Sequence, residues 1–323
     1  MGPDDDSILR ASSLYSDTGD PKVAGTIMLL DAERKVFELR TLGAVELRDA
    51  GGEVLEEILH QPKRLALLVY LAVAAPRGFL RRDSVLALFW PELSDKRARN
   101  ALSKAIHFLR HHLGREVIES RGALEIGIDP EQFWCDAVVF EEALDEGRNG
   151  DAVALYRGPF LQGFHVPESE ELAFWLDRQR DHLAQRYAGA LATLASRAAQ
   201  RGDPEAAAEW WRKLTDHDPY NAHAVLGLME ALESSGERGG ALQLAEEHAA
   251  RLREELAAEP DPEVEAFALR LRQAPRAAPR EPVAAHNLPE PPTPLVGRER
   301  ELRRLREQLL DPDVRLLSLT GPG

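Results

Sequence analysis

The stretch that decides the fold is SDKRARNALSKAIHFLRHHLG, Ser94 to Gly114. Ser94 followed by Asp95 is the composition of a helix start, and Gly114 is the residue that ends one. On a wheel of 100° per residue Ala98, Leu102, Ala105, Ile106, Leu109 and Leu113 fall within about 60° of Leu102, so they form a core seam. Lys96, Arg97, Asn100, Ser103, Lys104, His107 and His111 lie opposite, with Arg99 and Arg110 flanking the seam. A helix that is apolar on one side and carries cations, an amide and imidazoles on the other has the side chains that reach phosphates and base edges in a DNA major groove. A solvated basic face on an ordinary helix is the plainer alternative, and the surrounding sequence weighs against it.

Upstream, Phe37, Leu39, Leu42, Val45 and Leu47 alternate with polar residues and Gly51-Gly52 makes a turn, which predicts an antiparallel meander of two or three strands. Pro62 starts a helix whose Leu65, Leu68, Val69, Ala72 and Val73 recur at helical spacing, and a second helix spans about Arg81–Phe89 before Trp90-Pro91. Trp90 reads as a packing residue. Downstream of Gly114, Glu116–Glu119 and Ala123–Ile128 flank Ser120-Arg121-Gly122 as a two-stranded hairpin. Strands, three helices and a hairpin form a winged helix-turn-helix, with the third helix for the major groove and the hairpin as the wing. We assign it to residues 35–130.

Charge sharpens that assignment. The 323 residues hold 40 Lys+Arg against 55 Asp+Glu, a net charge of −15, which taken whole argues against an acidic partner. Residues 62–122 alone hold 12 basic and 5 acidic side chains, a local +7, so the remainder carries −22. Within the basic part Arg64, Arg81, Arg82 and Arg110 are candidate phosphate contacts, and Arg121 is the candidate contact at the wing tip. An acidic remainder should limit non-specific DNA binding, so an isolated 36–130 fragment is expected to hold random DNA more tightly than the whole chain.

The C-terminal half repeats. Gly202 and Gly236 are 34 residues apart, as are Leu194 and Leu228, Ala207 and Ala241, and Ala198 and Leu232. That period, with helix-turn-helix texture and Pro219 after a helix, is the tetratricopeptide pattern. Trp211 meets Ala245 in the next repeat, so the aromatic positions are only partly kept. Trp210 and Trp211 read as core or groove-wall residues. The overall expectation is a mainly α chain with a small β component, a winged helix followed by a TPR-like repeat domain.

Several segments of this order resemble a known family. Arg81 to Glu92, Arg97–Asn100, Ala101-Leu102 and Leu109-Arg110 resemble the response-regulator (OmpR-type) winged helix of the antibiotic-regulatory-protein (SARP) class of bacterial activators. Cys135-Asp136, Phe140-Glu141, Tyr156-Arg157-Gly158-Pro159-Phe160-Leu161, Glu171-Leu172, Trp175-Leu176, Arg180 and Leu183 resemble the bacterial transcriptional activator domain (BTAD) that follows it, here residues 131–273. The resemblance implies a sequence-specific transcriptional activator. It also implies that the loop Trp90–Leu93 faces RNA polymerase and that the repeat domain serves dimerisation, effector control or contact with a protein partner.

The ends carry other signals. Residues 1–34 include the acidic run Asp4–Asp6 and read as a mobile leader, with Thr26–Leu30 apolar enough for one strand; a signal peptide and a membrane span are not expected, and the protein should be cytoplasmic. Residues 274–294 are a Pro-rich linker. In residues 295–323, Val296-Gly297-Arg298-Glu299 and the apolar Val314–Leu319 before Thr320-Gly321-Pro322-Gly323 resemble the start of a signal-transducing (STAND/NB-ARC-like) P-loop ATPase. The Gly-Lys-Ser/Thr that would hold phosphates and Mg²⁺ does not follow, so ATP hydrolysis by these residues is not expected.

No catalytic constellation is evident, and an enzyme is not expected. The single cysteine, Cys135, suits a buried thiol. His107, His111 and His112 place two imidazoles on one helical face, yet they lack acidic or cysteine co-ligands, so no metal or cofactor is expected. Double-stranded DNA is the expected partner. The alternatives are a TPR-type protein-interaction scaffold and a fragment of an ATPase regulator.

Overall fold

A computed structural model describes residues 36–74, 77–166 and 169–273; the expected leader, linker and ATPase start lie outside them. Strands β1 (Phe37–Arg40) and β2 (Glu46–Arg48) lead into α1 (Glu56–Leu59), α2 (Pro62–Val73), β3 (Leu80–Arg81), α3 (Arg82–Phe89) and α4 (Asp95–Leu113). Next come β4 (Ile118–Arg121), β5 (Glu125–Ile128) and β6 (Phe133–Cys135). The remaining helices are α5 (Asp136–Asp145), α6 (Asn149–Leu155), α7 (Glu170–Gln200), α8 (Pro204–His217), α9 (Ala222–Ser234), α10 (Arg238–Leu256) and α11 (Pro262–Gln273). The fold is mainly α with a small β component, as the periodicities predict.

The first sheet differs from a local meander. β1 pairs antiparallel with β2, but its other neighbour is the distant β6, which runs parallel to it with Leu39 opposite Cys135. Val54 makes only an isolated bridge to Arg48. Asp136 supplies the reason for the remote pairing. Its buried carboxylate accepts from the Thr41 amide at 2.7 and 2.9 Å, the Thr41 hydroxyl at 2.7 Å and the Leu42 amide at 2.9 Å, and so holds the end of β1 against the start of α5. Those donors favour the carboxylate form, while burial pushes its pKa above the ordinary carboxylate value.

The wing also gains a strand. Leu80 and Arg81 pair with Ile126 and Glu125, so the order β3-β5-β4 replaces the expected two-stranded hairpin. Two residues carry too little periodicity to be read as a strand from sequence. Gly127 permits the close approach, because a Cβ there would lie 2.7 Å from the Gly78 carbonyl oxygen.

Helix α4 buries Ala98, Leu102, Ala105, Ile106, Leu109 and Leu113, the seam read from the wheel. Ser94 has the extended backbone of an N-cap, φ −64° and ψ 150°, but its hydroxyl makes no capping bond. Gly114, at φ 95°, turns the chain out of the helix.

The repeat is visible in the helix ends. Asp203 donates its amide to the Ala198 carbonyl at 3.0 Å, and 34 positions later Glu237 donates to Leu232 at 2.8 Å. Gly202 and Gly236 sit between them at φ 74° and 85°, a left-handed helix exit that glycine adopts without strain. The second half of α7 with α8 is one helix pair, and α9 with α10 is the next. Trp211 on α8 lies flat against Gly227 on α9, where any Cβ would fall 2.4 Å from the indole.

The buried side chains form two clusters. One runs from Leu39 to Leu183 and the other from Leu191 to Leu271. The division falls inside α7 rather than at residue 130, because β6, α5, α6 and the first half of α7 pack into the same core as the four helices before them.

Candidate nucleic-acid interface

On the outer side of α4 the side chains of Lys96, Arg97, Asn100, Ser103, Lys104 and His107 are all exposed. None of the six makes a side-chain hydrogen bond or ion pair with another described residue. This freedom is a consequence of the wheel: the seam at Ala98, Leu102, Ala105 and Leu109 is committed to the core, so the opposite residues face outward.

Arg64 on α2 joins that face. Its guanidinium lies 3.9 Å from the Phe108 ring centroid, a cation–π contact that holds the side chain beside α4. Arg64, Asn100, Ser103, Lys104, His107, Phe108 and His111 together line an open depression of about 630 Å³. Lys96 and Arg97 project from the first turns of α4, outside this depression. Phe108 was not a candidate from sequence. Its place one position from His107, on the half-buried flank of the helix, is the only signal for it.

The wing side is more constrained. The Arg121 guanidinium packs 3.8 Å from the Phe79 ring centroid at the end of β4. Leu124, three residues on in the wing turn, is 65% exposed. Arg110 turns away from the open face: its Nε and Nη2 donate to the Ile118 carbonyl at 2.8 and 2.5 Å, and Nη2 also donates to the Ser120 hydroxyl at 3.0 Å. Arg82 Nη2 reaches the same hydroxyl at 2.9 Å. Arg81 is exposed and lies 3.8 Å from Asp83, a surface pair of little energetic weight. The structure therefore groups most of the candidates in two places, the α4 depression and the wing junction, with Lys96, Arg97 and Arg81 in neither.

The Trp90 ring is buried against Phe89 and below Lys63, while Pro91, Glu92 and Ser94 of the loop before α4 are exposed. The Ser169 hydroxyl, which caps α7 by accepting from the Leu172 amide, donates to the Leu88 carbonyl at 3.0 Å. Arg77 bridges from the turn before β3 to Glu141 and Glu142 on α5. The basic module is thus braced on the helices that follow it. Cys135 is buried in this seam, and desolvation, aided by the neighbouring Asp136 charge, pushes its thiol up to about 12. Among the described residues no helix is long and apolar enough to cross a membrane.

Comparison with known proteins places the helical half. No curated protein matches the chain. The solved structure of Mycobacterium tuberculosis EmbR in complex with a low affinity phosphopeptide is similar in fold, with a TM-score of 0.52 at 20% sequence identity. The similarity covers 74% of this chain and 66% of that one, just under two thirds of its length. Residues 135–272, from the last residue of β6 into α11, match the family described as the bacterial transcriptional activator domain.

Proposed function

We propose that this protein is a sequence-specific DNA-binding transcriptional regulator of the antibiotic-regulatory-protein class, acting as an activator. The observation that carries the reading is the division of α4 into a fully committed inner face and an outer face of Lys96, Arg97, Asn100, Ser103, Lys104 and His107 without internal partners. Cations of this kind attract the phosphate backbone, while Asn100 and Arg97 have the paired donors and acceptors that discriminate adenine and guanine edges. In this reading α4 enters the major groove, Arg64 and Arg81 approach phosphates on its flanks, and Arg121 meets the backbone from the wing. The match of residues 135–272 to an activator domain supports a regulatory role.

The exposed Pro91 and Glu92 are the candidate contact for RNA polymerase, and the acidic repeat helices are the surface for a protein partner or a second copy of the chain. Selection of bound duplexes from a random pool tests the reading directly. An enriched motif, with repeat spacing that reports how protomers are arranged, is expected. No enrichment and no gel shift at low salt would instead favour a protein-interaction scaffold.

A further inference from the structure

Lys96, Arg97 and Lys104 on α4 are exposed, Arg64 beside them is half-buried, and none of the four pairs with a carboxylate among the described residues. Other cations of the chain do find such partners: Arg77 holds Glu141 and Glu142, Arg148 holds Glu146 and Asp151, and Arg186 holds Asp145. Acidic side chains outnumber basic ones by 55 to 40, so the α4 cations are unpaired because of where the fold puts them, not because carboxylates are scarce. Arg64 and Lys104 share the open depression of about 630 Å³, and Lys96 and Arg97 stand two turns before Lys104 on the same helix. Like charges so placed repel one another until an anion comes between them. The chain carries one. Asp4-Asp5-Asp6 is the single place in the sequence where three acidic residues follow one another, and residues 1–34, outside the described residues, hold seven acidic and three basic side chains. Asp6 stands 31 positions before Phe37, a reach of up to about 100 Å at roughly 3.3 Å per residue. A domain of about 100 residues has a radius of gyration near 13 Å, so no face of the basic module lies beyond that reach.

We propose that the acidic run Asp4–Asp6 docks on the α4 face formed by Lys96, Arg97, Lys104 and Arg64, so that the chain's own N-terminal segment and duplex DNA compete for the same cations. That DNA is the competitor rests on the function proposed above; the docking itself rests on charge complementarity and the tether. Tethering makes the contact intramolecular, with an effective concentration on the order of 1 mM, so an attraction of only millimolar strength fills the face about half of the time. The run must leave before any duplex enters. It therefore lowers the apparent affinity for every sequence by one common factor and leaves the ratio between preferred and random DNA unchanged.

The test uses the full chain. A water-soluble carbodiimide condenses a carboxylate with a lysine amine in direct contact, and Lys22, Lys35, Lys63, Lys96, Lys104 and Lys213 are the only lysines, few enough to be told apart by mass spectrometry. At low salt, amides from Asp4–Asp6 to Lys96 and Lys104 but not to Lys213 are expected, and a selected duplex should abolish them. In parallel, the triple variant Asp4→Asn, Asp5→Asn, Asp6→Asn should bind the selected duplex and its scrambled version alike about two- to tenfold more tightly than the parent chain. The gain should fade as added salt screens the contact. Asp17→Asn, Asp20→Asn, Asp31→Asn removes the same charge from the same segment and should change either affinity by less than about twofold. Equal gains in the two triple variants, or cross-links spread alike over all lysines, assign the effect to net charge and overturn the docking. Absence of cross-links to α4, with unchanged affinities in a chain that still binds DNA, overturns it as well. Cross-links to Lys96 and Lys104 in a chain that binds no duplex keep the docking and overturn the DNA reading.

Discussion

Asn100 and Arg121 are held in different ways. Asn100, in the second turn of α4, lines the open depression with a side-chain amide that can pair with one base edge. Replacing it with alanine should relax sequence preference, costing about 1–3 kcal/mol on the preferred site and little on random DNA. Arg121 is steadied by Phe79 and carries no such pairing geometry. Arg121→Ala should weaken binding to all duplexes alike, and titration of both variants against selected and scrambled DNA checks the division of labour; equal losses in the two would show it to be wrong. Cys135 gives a prediction that does not involve DNA. A thiol raised from 9.0 to about 12 on folding stays protonated in the native chain while the unfolded chain ionises. Its contribution to stability is therefore complete below pH 9 and is lost as the pH rises through 9 toward 12. At pH 8, alkylation should proceed only at the rate of global opening, and labelling as fast as a free thiol would contradict the buried placement.

At the scale of elements, the repeat depends on close helix approach. Gly227→Ala drives a methyl into the Trp211 indole, with no space to receive it. It should cost about 1–3 kcal/mol in chemical denaturation, and an unshifted midpoint would mean that α8 and α9 are free to separate. The parallel pairing of β1 with β6 depends on one carboxylate. Asp136→Ala leaves the buried Thr41 and Leu42 amides without an acceptor and should cost at least about 2 kcal/mol, whereas Asp136→Asn, which keeps an acceptor oxygen, should cost less. The core face of α4 and the 34-residue helix pairs were legible in the sequence because each repeats a local period. The strands β3 and β6 were not, since two or three residues have no period to read and their partners lie far along the chain. In the candidate site, the exposed row on α4 was legible for the same reason. The engagement of Arg82 and Arg110 with Ser120 was not, because a guanidinium on a long side chain takes its partner from whichever element packs beside it.

For the molecule as a whole, charge and core divide at different places. The basic excess ends near residue 122, but the first core continues to Leu183. A fragment of residues 36–130 lacks β6, Asp136, and the α7 cap that supports Leu88. It should therefore lose cooperative unfolding or melt well below the full chain by circular dichroism. This also changes how the acidic remainder is to be tested, since tighter binding of random DNA by such a fragment would mix electrostatics with a frayed fold. For the full chain, neutralising about five to seven phosphates should give a slope of log K against log salt near −4 to −6, and a flat dependence would remove the DNA reading.

By itself the sequence determined the helical seam of Ala98 to Leu113, the basic row opposite it, the 34-residue repeat and the separation of a +7 region from an acidic remainder. These are properties of periodicity and composition, which act over neighbouring residues. Only the tertiary structure decided that β6 completes the first sheet, that the two cores meet within α7, and that two arginines share one serine hydroxyl. Each of these joins segments distant in the chain, where the choice of partner is made by burial and hydrogen-bond satisfaction in three dimensions rather than by local pattern.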